Sequence, residues 1–271
     1  MVNAFLLLSP IGMMALGLAA IIFWKFKRNV SWKYFGCGAL IWILAIIPKL
    51  IMDLTVTAYL YEGVYAYGAM ALMITAGLYL GLRTGLFESG LTYIAGRKLG
   101  SLKKIKLNEA IAFGIGFGAF EAIILGLSGF FSLLVLVMYP SLAGTLTASQ
   151  QLALDSPTIV VGAAIMERLF VIFIHIFASL LVFYSIAKKK IIYLVYSILF
   201  KAAVDGMIPV LTYYIDTTTV SGTYLIELPF LAFAAISWVG TMWLMGRYPA
   251  DPAVAHKAPV SRKKARPSRK R

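Results

Sequence analysis

The sequence predicts an all-α, polytopic transmembrane bundle of about seven spans, and three observations predict it. Hydrophobic residues make up 61% of the 271 residues, and the mean hydropathy is +0.87, whereas a soluble domain has about 45–50% apolar residues. The apolar runs are about 20 residues long, which is the length an α-helix needs to cross a bilayer. Basic residues recur in every second connection between the runs, as expected when those connections share one side of a membrane.

The expected architecture is one bundle over residues 1–246, followed by a basic tail over residues 247–271. A β-barrel is excluded because its strands would be alternating segments of about ten residues. The single cysteine, Cys37, excludes a disulfide framework. The spans are expected at about residues 4–23, 34–52, 65–87 (open to extension to 94), 109–138, 159–187, 191–214 and 224–245.

The loop charges predict how the bundle is oriented. Four, five, three and nine basic residues lie within residues 25–33, 97–106, 188–190 and 247–271, respectively, and the alternate connections contain no lysine or arginine. This predicts an external N-terminus and a cytoplasmic C-terminus in the plasma membrane. The tail is expected to be disordered and to attract anionic lipid, with contact to RNA or the ribosome as the alternative. No specific nucleic-acid partner is expected, because most of the charge of +14 is explained by topology.

Glu121 is the carboxylate that the sequence places deepest. It lies roughly 12 residues into the fourth span, and about 1.5 Å of rise per residue puts it near the middle of a hydrocarbon core about 30 Å thick. An ionised side chain there costs at least about 2.5 kcal/mol. Gly114, Gly116 and Gly118 precede it and allow other helices to approach closely. We therefore expect a central helix whose carboxylate faces protein or trapped water.

Further ionisable residues fall on the fifth and sixth spans. Arg168, His175 and Ser179 share one helix stripe with Glu167 beside it, and Lys201 and Asp205 form an i,i+4 pair. Because the loop between these spans is short, we expect the two spans to be antiparallel neighbours. The residues expected to converge at mid-membrane are Glu121, His175, Lys201 and Asp205, with Glu88 nearer the cytoplasmic side.

Three interpretations of these residues stay open at this point. The charges can pair with one another, they can form a proton relay in a transporter, or they can form a metal-binding chamber. A hydrolytic zinc site needs about three protein ligands, an open position and a carboxylate base. The candidate ligands are His175, Glu121 and Asp205. With Lys201 as the available cation, we also expect its ammonium to contact Asp205 or Glu121.

Four motifs in order resemble the YhfC family of intramembrane metalloproteases, relatives of the CAAX-protease and bacteriocin-processing group. They read GLFE ending at Glu88, FGIGFGAFEAI around Glu121, ER at Glu167–Arg168 with His175 and Ser179, and KxxxD from Lys201 to Asp205. The resemblance covers about residues 60–215. It implies Glu88 and Glu121 as catalytic residues, and it extends residue by residue to Glu167, Arg168, His175 and Asp205.

The chain departs from the family pattern at the expected metal ligands. Ser89 and Thr92 stand where the family has a second glutamate and an arginine, and Phe117 and Lys201 stand where it has two histidines. The resemblance implies a hydrolase that uses zinc to cleave a transmembrane peptide. Because these histidines are missing, we expect this sequence to bind no cofactor. This favours the alternative of a pseudoenzyme, that is, a non-catalytic membrane scaffold or peptide-binding protein of the same fold.

Overall fold

The structure is a computed structural model that describes residues 3–146, 154–156 and 158–249. Within these residues all regular structure is helical, and seven helical segments are long and apolar enough to cross a membrane. The predicted class and number of spans are thus confirmed. The predicted disorder of the tail concerns mainly residues 250–271, which lie outside the described residues. The spans are Ala4–Arg28, Trp32–Thr55, Ala69–Lys98, Leu107–Met138, Thr158–Lys188, Ile192–Tyr214 and Val220–Met245.

Some spans consist of more than one helix, and part of one connection is also helical. Residues 57–65, expected within a loop, form a short helix between the second and third spans. In chain order the helices are α1 (Leu8–Arg28), α2 (Trp32–Thr55), α3 (Thr57–Tyr65), α4 (Ala69–Thr84), α5 (Gly90–Lys98), α6 (Leu107–Met138), α7 (Val161–Lys188), α8 (Ile192–Gly206), α9 (Ile208–Tyr214), α10 (Val220–Leu225) and α11 (Glu227–Met245).

Helices α6 and α7 form the centre of the bundle. α7 is the most buried span, with 78% of its apolar window inside the protein. α6 is buried along its first half, where a side chain at Gly116 would collide with the backbone of Phe35 on α2, and one at Gly114 with the backbone of Ile176 on α7. The glycines therefore let α6 lie between two helices. The second half of α6 exposes large apolar side chains such as Phe131, so only its first half is central.

A seam of small residues joins α4 to α8. Gly77, Gly81 and Gly85 face backbone carbonyls of α8 so closely that a Cβ at any of them would clash. This is the close packing that glycine at four-residue spacing permits between membrane helices. The seam fixes the height of α8 against the third span and so positions the side chains that follow Gly85.

Two interruptions of helical regularity lie beside the site. A π-helical turn, Gly85–Ser89, connects α4 to α5 and carries Glu88. π-bulges occur frequently at functional sites. The sixth span breaks between α8 and α9, because Pro209 has no N–H to donate to the carbonyl of Asp205 and its ring clashes with that carbonyl.

Candidate functional site

Five helical elements send ionisable side chains into one cluster inside the bundle. We call this set the charge cluster. Its members are Lys49 from α2, Glu88 from the π-helical turn, Glu121 from α6, Glu167, Arg168 and His175 from α7, and Lys201 and Asp205 from α8. Arg168, His175, Lys201 and Glu88 are all buried, so the interactions of these four side chains are largely with protein.

Glu121 accepts hydrogen bonds from three different donors. Trp42 Nε1 donates to Oε2 at 2.9 Å, and Arg168 Nη1 donates to Oε1 at 2.7 Å. His175 Nε2 lies 3.0 Å from Oε2. Arg168 also pairs with its neighbour Glu167. The cost of burying the Glu121 carboxylate is thus offset by the Arg168 guanidinium and by the ring N–H groups of Trp42 and His175. These contacts explain how a carboxylate can be stable at this depth.

Glu88 is the second buried carboxylate, and two lysines neutralise it. Lys49 Nζ lies 2.7 Å from Oε1, and Lys201 Nζ pairs with Oε2. The hydroxyls of Ser89 and Ser197 hydrogen-bond to each other at 2.9 Å, which holds the π-helical turn in register with α8. Glu88 and Lys201 are therefore set opposite each other by backbone packing on both sides.

His175 connects the two carboxylates. Its Nδ1 lies 2.9 Å from Lys201 Nζ, and its Nε2 lies 3.0 Å from Glu121 Oε2. The Phe117 ring lies 4.7 Å from the His175 ring and 4.7 Å from the Lys201 ammonium. The second distance is that of a cation–π contact. Phe117 and Lys201 thus pack on each other at the two positions where the resemblance leads one to expect histidines.

A cavity of about 220 Å³ borders the cluster. Every member of the charge cluster contributes to its wall, and so do apolar side chains from α7, α8, α9 and α11. Glu121, His175, Lys201 and Asp205, expected to converge, do line this one cavity. No lysine or arginine among the described residues pairs with the Asp205 carboxylate.

One expectation about this site is wrong, and another is not tested by the structure. Lys201 was expected to contact Asp205 or Glu121, but its ammonium pairs with Glu88 and His175, because the α4–α8 seam brings Glu88 directly against it. Glu88 lines the same cavity as Glu121, and its expected position nearer the cytoplasmic side stays a prediction.

Two members of the site were missed by reasoning from the sequence. Lys49 and Trp42 lie seven residues apart on α2, hence on one face, and each donates to one of the two carboxylates. The signal was a lysine inside an apolar span. It gained no assignment because its partner, Glu88, lies on another span.

The residues present do not fit a zinc ion. Among the described residues no group of three or more His, Cys, Asp and Glu side chains is arranged to hold a metal. The donor chemistry gives the reason: Lys201 occupies His175 Nδ1 and Glu88, while Arg168 and Trp42 occupy Glu121. A catalytic zinc needs about three free ligand atoms and an open position, and these partners leave none of the ligand atoms of His175, Glu88 and Glu121 that they contact free.

Comparison with known proteins gives one match. A family model described as YhfC intramembrane metalloprotease matches residues 12–228, which include all four motifs. No curated protein and no solved structure matches the chain.

Proposed function

Since the chain belongs to the YhfC intramembrane metalloprotease family, we propose that it is a metal-free member that retains the fold and the mid-membrane cavity without hydrolytic activity. One observation carries this proposal. The Lys201 ammonium lies between Glu88 and His175 Nδ1, at a position where the resemblance implies a histidine ligand. The chain thus supplies its own cation where relatives would bind one.

The Lys201 ammonium, which is covalently attached to the protein, replaces a metal ion in one respect. It neutralises buried carboxylates, which otherwise need a cation or protons in a low-dielectric site. It has no open coordination position, so it cannot bind and activate a water molecule as catalytic zinc does. Lys201 therefore preserves the architecture of the cavity and not its hydrolytic chemistry. What remains is a polar cavity suited to binding a membrane partner or peptide.

The proposal is tested by metal content. The purified protein should contain far less than one zinc per chain, and a chelator should leave its melting temperature unchanged. The double variant Phe117→His/Lys201→His restores the residues the family pattern expects, and it should bind zinc and gain chelator-sensitive stability. Phe117→His alone is the matched control and should gain neither, because Lys201 still occupies His175. Stoichiometric zinc in the parent would contradict this proposal and would instead indicate an intramembrane metalloprotease that cleaves peptides.

A transporter with a proton relay is a weaker interpretation of the same contacts. Glu167 connects to Glu121 through Arg168, and arginine does not give up its proton in proteins. The remaining series of contacts runs from Glu121 through His175 and Lys201 to Glu88, and all four residues line one cavity. It supports charge neutralisation better than transfer of protons across a membrane.

The basic tail is proposed to hold anionic lipid at the cytoplasmic face of the plasma membrane. Residues 257–271 carry eight lysines and arginines, and each contributes about 1 kcal/mol near an anionic surface. Deleting these residues should leave folding intact and weaken binding to phosphatidylserine vesicles in a salt-dependent way. Binding that neither the deletion nor salt changes would exclude this role.

A further inference from the structure

The charges around the cavity do not balance. Four carboxylates line it, and three cations oppose them: Lys49, Arg168 and Lys201. His175 is counted as neutral, by the same convention as in the net charge of the whole sequence. One negative charge is left in excess, in surroundings where an uncompensated charge is costly.

Asp205 is where the excess lies. The other three carboxylates each pair with a lysine or arginine: Glu88 with two lysines, and Glu121 and Glu167 with Arg168. Asp205 lines the cavity half-buried and forms no direct ion pair among the described residues. Lys49 and Lys201 interact with it electrostatically, but both ammonium groups pair directly with Glu88. It also lies at the break between α8 and α9, and backbone that lines a cavity at a broken membrane helix is a common place for ligands and ions to bind.

The rest of the wall is apolar. Val171, Val204, Ile208 and Phe230 line the cavity along with Asp205. A ligand that fits both the Asp205 carboxylate and the apolar wall has a cationic group for the carboxylate and a short hydrocarbon chain for the wall. The cavity volume of about 220 Å³ is below the range of about 300–1,000 Å³ typical of drug-sized ligands, so the chain is short.

We propose that the cavity binds an alkylammonium group, with Asp205 as its counter-ion. This deepens the function proposed above, on which it rests, by naming the chemical class of the ligand. A divalent metal fits less well, because the neighbouring donors are occupied by lysine and arginine. The ammonium can belong to a free amine or to a lysine side chain of a membrane partner, and both share the same chemistry.

The test uses the full-length protein in nanodiscs at neutral pH, with n-butylammonium as the probe and n-butanol as its neutral counterpart. Calorimetry should show saturable binding of n-butylammonium and none of n-butanol. Asp205→Asn should weaken binding at least about tenfold, as loss of one partner of a buried charge pair does, and Asp205→Glu should retain it. Glu62→Gln, which removes an exposed carboxylate outside the cavity, is the matched control and should bind like the parent.

Three results would overturn the inference: no saturable binding by the folded parent, equal binding of n-butanol, or equal binding by a folded Asp205→Asn variant. The first would mean that Asp205 needs no ligand as its counter-ion. Zinc content is measured in the same samples, so a zinc-free protein that ignores the amine refutes this inference only, whereas bound zinc refutes the proposed function.

A second arm identifies the source of the ammonium. Two membrane-spanning peptides differ only in lysine or norleucine at their centre. Binding of the lysine peptide that depends on Asp205 supports a protein partner. Binding of n-butylammonium without discrimination between the peptides supports a small amine.

Discussion

Replacing Lys201 should destabilise the protein strongly, because it removes a buried cation shared by two partners. The Lys201 side chain is 6% exposed and that of Glu88 is 4% exposed. Lys201→Met keeps most of the hydrocarbon stem and removes only the charge. His175 Nδ1 then loses its contact with the ammonium, and one cation fewer opposes the carboxylates of the cavity.

The magnitude follows from what is left behind. Breaking a buried ion pair by removing one partner costs about 3–5 kcal/mol. Lys49 still neutralises Glu88 Oε1 at 2.7 Å, so the lower end of that range, about 3 kcal/mol, is expected for Lys201→Met. Lys201→Ala should cost more, because about 0.8 kcal/mol is lost for each buried methylene it deletes.

The assay is reversible unfolding of the reconstituted protein, measured by steric trapping or by denaturant in bicelles. Lys190→Met removes an exposed lysine and is the control, with an expected change within about 0.5 kcal/mol. Glu88→Gln combined with Lys201→Met should cost less than the sum of the single changes, by roughly 0.5–3 kcal/mol. Loss of less than about 1 kcal/mol in Lys201→Met, near the level of an exposed pair, would refute the view that Lys201 compensates the buried carboxylates.

Three further predictions concern packing, the Glu121 carboxylate and topology. Gly81→Leu should destabilise the bundle by at least about 1–3 kcal/mol in the same unfolding assay, because its Cβ would clash with the carbonyl of Ala202; an unchanged stability would contradict the close approach of α4 and α8. Trp42→Phe should cost about 1.5–3 kcal/mol, measured likewise, because it removes a donor to a carboxylate; a neutral effect would show that this hydrogen bond is dispensable. A reporter fused after Arg247 should be cytoplasmic and one inserted within residues 145–155 external, and reporters on the same side would contradict the predicted orientation.

The spans were predictable because their signal is local. The length and the limits of an apolar run of about 20 residues between charged connections can be seen directly in the sequence. The glycines before Glu121 likewise indicated close packing, and the structure finds Gly116 against α2. The π-helical turn at Gly85–Ser89 was not predictable, because nothing in its composition distinguishes it from an α-helix and it is stabilised by the fit of α4 and α5 against α8.

The residues of the site were easier to predict than their pairing. His175 and Glu121 were identified from their depth, and they do lie in contact. Spacing along one helix predicts proximity only within that helix. The i,i+4 spacing of Lys201 and Asp205 therefore suggested that these two residues contact each other, whereas packing between helices places Lys201 against Glu88. Lys49 was missed for the same reason, since its partner lies on another span.

The most direct test of the central claim is an experimental structure of the cluster with anomalous scattering recorded at the zinc edge from zinc-supplemented protein. The metal-free account predicts no anomalous peak, with Lys201 Nζ within hydrogen-bonding distance of Glu88 and His175 Nδ1. An anomalous peak coordinated by His175, Glu121 and Asp205, with the Lys201 ammonium turned away, would contradict it.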